Sequence, residues 1–284
     1  MQTTAQKVLA DFIRTMPDVP FTADDIVIEF APREQMAERA LALCALYVPD
    51  KKLNDSQLWE FENTIGANAL TGREKSAVLV RMDKRDTKKN LREVMFHEFM
   101  RVFCNKLEID GEHFIDIYGS GHTPDENPEN TLYDGHLNAG YVVWSEFIAQ
   151  YYALKYVNKG KYSVTDLSNE LMALLNEVHI GDRQRGKQSF AMVCSYLFLC
   201  DDVSDFIELL NEPDFLFADS NPNGASYGAQ TRAAFQNCLL HLQSNMQKEK
   251  PWKINENFIA ELGAKFIAFA SLNSLYLGIM NPVE

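Results

Sequence analysis

Apolar and polar positions alternate differently in the two halves of the chain, and the pattern predicts a mixed first half and a helical second half. Val8, Leu9, Phe12 and Ile13 lie on one stripe at helical spacing, so residues Ala5 to Met16 are predicted to form a helix that stops at Pro17 and Pro20. The run Ile26-Val27-Ile28-Glu29-Phe30 reads as a short strand. From Arg33 to Tyr47 the helical period returns, with Met36, Ala40, Leu41, Leu43, Cys44 and Leu46 expected to face inward. Asn63 to Thr71 is small and loop-like, and Ser76 to Met82 is the clearest strand, β-branched and flanked by charge. Asp86-Thr87 then caps a helix from Lys88 to about Leu107. Apolar residues surround this helix almost completely, which predicts a buried central element.

The stretch from Glu108 to Gly140 is polar and rich in Gly, Asn, Asp and Pro. It predicts a long irregular excursion carrying His113, His122 and His136. Tyr141 to Val157 is apolar almost throughout, with Glu146 its only acidic residue, and predicts a second buried helix. Asn158 to Ser163 is the best internal boundary. Beyond it, helical periodicity recurs near 165–179, 187–200, 203–211, 230–247 and 255–279, interrupted by a Pro-, Asn- and Gly-rich loop from Asn211 to Gly228. The expected class is therefore α+β. Residues 1–157 would form a domain with a small sheet and two buried helices, and residues 158–284 a helical subdomain.

Charge narrows the partners. A net charge of −13 argues against non-specific nucleic-acid binding and against an anionic membrane surface. Met1 to Ala10 lacks the charged and apolar stretches of a secretory signal. The uncharged run Phe266 to Met280 is short and carries Ser271, Asn273 and Ser274, so a buried helix is expected there. Cys44, Cys104, Cys194, Cys200 and Cys238 are scattered and odd in number, which fits buried thiols in a reducing cytoplasm.

The chemistry concentrates in His97-Glu98-Phe99-Met100-Arg101. Two imidazoles four residues apart on a helix lie on one face and can bind one zinc ion, while a Glu beside the first activates the metal-bound water. Here position 101 holds Arg in place of the second His. A guanidinium is always protonated and offers no lone pair to a metal. A buried Glu98 needs a partner, because an unpaired carboxylate in an apolar setting is costly.

Strand 76–82, the helix carrying His97-Glu98, and the later helix with Trp144-Ser145-Glu146-Phe147-x-Ala149 together resemble the gluzincin branch of the zincin metallopeptidases, with a degenerate H-E-x-x-R motif. In that family an edge strand borders the substrate cleft. The resemblance covers roughly residues 70–157. It implies His97 as first metal ligand, Glu98 as catalytic base and Glu146 as third ligand. It leaves Arg101 at the second ligand's position. His122 or His136 would be the loop residues able to complete a site, and Tyr141, Tyr151 or Tyr227 could stabilise an oxyanion, with nothing in the sequence selecting one; both histidines read more simply as solvated loop residues. Alternatively, Arg101 places a fixed positive charge roughly where the metal would lie and pairs with Glu146 or Glu98.

Three functions follow as expectations. The first is a metal-free or weakly zinc-binding pseudo-peptidase that takes a peptide or protein in the former active-site cleft. The second is an active zinc-dependent metallopeptidase with an atypical ligand set. The third is a helical interaction protein without peptidase ancestry. No G-x-S-x-G elbow or catalytic cysteine context points to nucleophilic catalysis, and no cofactor besides zinc is implied.

Overall fold

The computed structural model describes residues 1–63, 66–82, 88–109, 112–113, 128–157, 162–178, 183–212, 216–217 and 225–280. The chain is mixed α+β and mostly helical. It forms two compact units: Met1–His122 with Tyr152–Lys159, and Thr123–Tyr151 with Gly160–Glu284.

The first unit opens with α1 (Gln2–Thr15), whose Ala5, Val8, Leu9 and Phe12 are buried as the periodicity requires. Next come β1 (Ile26–Ala31), α2 (Met36–Tyr47) and α3 (Asp55–Asn63). After these follow β2 (Ala67–Leu70), β3 (Ser76–Arg81) and α4 (Lys88–Asn105). A short antiparallel pair, β4 (Glu108–Ile109) and β5 (Glu112–His113), comes last. The main sheet runs β1-β3-β2, with β1 parallel and β2 antiparallel to β3. β3 is thus central and not the edge strand that the resemblance implies for 76–82; β1 and β2 form the two edges, and β2 lies in a stretch whose composition reads as loop. Ala67-Asn68-Ala69-Leu70 has little strand propensity of its own; register against Ala77 to Val80 supplies the order.

One hydrophobic cluster of this unit lies between α2 and the sheet, where Met36, Ala40, Leu43, Cys44, Leu70, Ala77 and Leu79 are all buried. Leu41 and Leu46, expected inward, are 45% and 70% exposed. The stripe that packs is Met36, Ala37, Ala40, Leu43 and Cys44, and the other two lie off it. α3 begins at a reciprocal cap, in which the Asn54 side chain accepts from Gln57 N and the Gln57 side chain accepts from Asn54 N.

The second unit is built from helices. α5 (Pro128–Val157) starts well before the expected Tyr141, so the excursion after Glu108 is shorter than its composition suggests. Its residues up to Tyr151 belong to the second unit and its last turns to the first. Then come α6 (Val164–Asn176), α7 (Arg183–Leu197), α8 (Val203–Leu209), α9 (Ala225–Met246) and α10 (Glu256–Met280). α5 and α10 cross at two glycines. A Cβ at Gly140 would stand 1.9 Å from the Ile259 carbonyl oxygen, and one at Gly263 would stand 1.8 Å from that of His136. Asn273 on α10 donates to the Leu175 and Val178 carbonyls at the end of α6, at 3.0 and 2.7 Å. This satisfies groups that a helix C-terminus leaves open.

Phe217 sits at φ 57°, in the left-handed region. Its buried ring meets Phe235, Phe269 and Tyr276 edge-on. Arg232 donates to the neighbouring Leu216 carbonyl at 3.1 Å. A Cβ at Gly228 would lie 2.2 Å from the Phe217 carbonyl oxygen. By length and composition, Glu256–Leu277 of α10 could cross a bilayer, and 44% of it is buried. All five cysteines are free and buried.

Candidate functional site

α4 carries the chemistry of the first unit, and aromatic packing fixes how it lies. Phe96, Phe99 and Phe103 present ring edges to Phe12 of α1 at 5.0–6.2 Å between centroids. Phe96 also stacks on Tyr156 at 4.5 Å, and the Arg92 guanidinium lies 5.0 Å over the same Tyr156 ring. The Tyr156 hydroxyl donates to Asp11 at 2.9 Å. At the far end, Asn105 donates to the Thr71 hydroxyl oxygen at 3.1 Å. A helix held at both ends and along one face gives its remaining side chains defined positions.

Those side chains include His97, Glu98 and Arg101. Glu98 is 5% exposed, while His97 and Arg101 are half-buried. Arg101 Nη1 lies 3.9 Å from Glu98 Oε2, one turn back along the helix. The contact is an ion pair, too long for a hydrogen bond. Glu98 Oε2 is fully buried and has no hydrogen-bond partner among the described residues. Of the two carboxylates expected to pair with Arg101, Glu98 is therefore the one the helix itself delivers, and the pair is not the bidentate contact expected from a guanidinium fork.

Lys51 joins this neighbourhood, a residue that sequence reasoning missed. Its ammonium is pushed below the ordinary lysine range by burial; the Cys44 thiol acts the other way, and the Arg101 guanidinium adds to the depression. Cys44 in turn is pushed up by burial, with Lys51 opposing. The readable signal is Val48-Pro-Asp-Lys-Lys-Leu53, in which Val48 and Leu53 bracket the lysines and pack on the α2 core.

Glu146, His136 and Tyr141 belong to α5 and to the second unit. Glu146 is buried, 8% exposed, as the apolar helix predicts. Trp144 beside it is 1% exposed, with its indole nitrogen unpartnered among the described residues, and its ring is 6.1 Å from that of Tyr141. His136 is half-buried on the helix, not on a solvated loop. Asn130, Asp134, Gly135, Asn138 and Gly140 disguise the first half of α5 as loop, whereas Pro128 suits a first helical turn. His122 lies outside the described residues. Among the described residues, no three His, Cys, Asp or Glu side chains gather around one point.

No protein-family model, curated protein or solved structure matches this chain.

Proposed function

We propose that the chain is a zincin-like pseudo-peptidase, in which Arg101 stands at the position of the lost second metal ligand and supplies the positive charge that the metal would have brought, and the protein binds a peptide or protein segment without cleaving it. The observation that carries this reading is the ion pair of Arg101 with the buried Glu98. A general base for metal-bound water is of use only beside a metal. A carboxylate in the field of a guanidinium is instead occupied as an ion-pair partner.

The donors on α4 do not fit zinc. One imidazole is present, and one turn along, where the second should be, stands a permanent cation that repels a dication. Further support comes from the setting: the helix is buried and aromatic-packed, and it follows a strand of a small sheet, although that strand is central where the resemblance implies an edge. Zinc content after dialysis against trace zinc tests the reading. Well below one zinc per chain is expected, and about one per chain would overturn it. In the folded Arg101→His variant, tighter zinc binding is expected, since the helix then offers imidazoles at i and i+4. No gain in affinity would remove the zincin ancestry from the argument.

A further inference from the structure

The second half of α2 is apolar all the way round. From Ala40 to Tyr47 it reads Ala-Leu-Ala-Leu-Cys-Ala-Leu-Tyr, without a charge. A helix of that composition is ordinarily enclosed on every side. Here one side joins the cluster against the sheet through Ala40, Leu43 and Cys44. On the other side Leu41, Ala45 and Leu46 are exposed, and Ala42 between them is half-buried. Single surface leucines are ordinary, but these four apolar positions are contiguous.

This face is its own complement. Residues four apart stand in one row along a helix. One row runs Leu41 then Ala45, and the row beside it runs Ala42 then Leu46, so large and small alternate in opposite order. Let a second copy be turned end for end about a two-fold axis through the middle of the face. Each row then meets its own reverse. Leu41 of either copy falls over Ala45 of the other, and Leu46 falls over Ala42. A two-fold contact requires that whatever i does to j, j does to i, and both pairs obey it. A parallel pairing would also set leucine near alanine, and charge decides between the two. Exposed Glu34 and Glu38 mark the start of the helix, while Lys51 and exposed Lys52 follow Asp50 just past its end. End-for-end pairing brings the acidic end against the basic one, whereas parallel pairing would set Glu38 against Glu38.

We propose that the exposed face of α2 is a self-association surface, occupied by a second copy of this chain packed antiparallel about a two-fold axis. The face is small, so the dimer belongs to the weak class that buries less than about 1,200 Å². A net charge of −13 on each copy adds a long-range repulsion, which salt screens. Association is therefore concentration-dependent and strengthens as salt rises.

Sedimentation equilibrium of the full chain over a range of protein and salt concentrations tests this. A reversible monomer–dimer equilibrium is expected. Leu41→Glu and Leu46→Glu should each weaken it about tenfold or more, because one substitution acts twice in a two-fold dimer. Both side chains are exposed, so folding should be spared, and thermal melts verify it. Glu38→Lys alone and Lys52→Glu alone should each weaken the dimer about two- to fivefold, the scale of exposed ion pairs counted twice. The two together should restore it. A chain that stays monomeric at every concentration would overturn the second copy as occupant. A dimer indifferent to both leucine substitutions would overturn this face, and a charge swap without recovery would overturn the antiparallel pairing.

Discussion

One neighbour decides what it costs to bury Glu98. With Arg101 present, its charge has a partner at 3.9 Å. Arg101→Met takes that partner away, and should destabilise the fold by about 1–3 kcal/mol, moderated by the guanidinium's partial exposure to water. Glu98→Gln in that background should recover part of the loss. Urea unfolding of the four members of the cycle measures the coupling, and strict additivity would mean the pair contributes nothing. The thiols and Lys51 give opposite slopes with pH. Burial pushes Cys200 and Cys238 up to about 12. Unfolded thiols release their protons near pH ~8.5, so above that value the unfolded state binds fewer protons and stability falls with rising pH. Lys51 is depressed, so between its lowered value and the ordinary lysine range the unfolded state binds more protons, and stability rises. The alkaline decline is therefore expected to flatten in Cys238→Ala and to steepen in Lys51→Met, as read from urea midpoints across that range.

At the scale of elements, the crossing of α5 and α10 makes the sharpest demand. Gly140→Ala or Gly263→Ala drives a methyl into a backbone carbonyl, and about 1–3 kcal/mol or more should be lost. Gly135, on the same helix, has nothing within 4 Å of where a Cβ would stand, so Gly135→Ala should be neutral or gain about 0.5–1 kcal/mol. Thermal melts of the three variants suffice, and a loss in Gly135→Ala as large as in Gly140→Ala would remove the close approach as the cause. These same glycines show why part of the fold is hidden in the sequence. α1, β3 and α4 announce themselves by period and composition, and their observed bounds fall within a few residues of expectation. The first half of α5 does not, because its Gly140 serves a contact with α10, distant in sequence. β2 gains its order from β3, and no local pattern records that. The start of α3 is legible in the cap Asn54-x-x-Gln57. At the site, burial of Glu98 and Glu146 follows from apolar surroundings, whereas for Lys51 the sequence offers only the bracketing Val48 and Leu53, and the groups that act on it lie elsewhere in the chain.

Across the whole molecule, each compact unit is closed by contacts between residues far apart in the chain: Asp11 with Tyr156 in the first, Asn273 with Leu175 and Val178 in the second. Phe217 carries this furthest. A bulky residue at φ 57° is unfavourable by itself, by about 1–2 kcal/mol. Only a finished surround makes the position acceptable, with α9 supplying Phe235, Gly228 and Arg232, and α10 supplying Phe269 and Tyr276. The consequence is an order of events. The seat of Phe217 cannot form before the two helices have met, so it is expected to close late in folding. Phe217→Leu should accordingly speed unfolding and leave the folding rate nearly unchanged in stopped-flow measurements, and a slowed folding limb would place this residue in the nucleus instead.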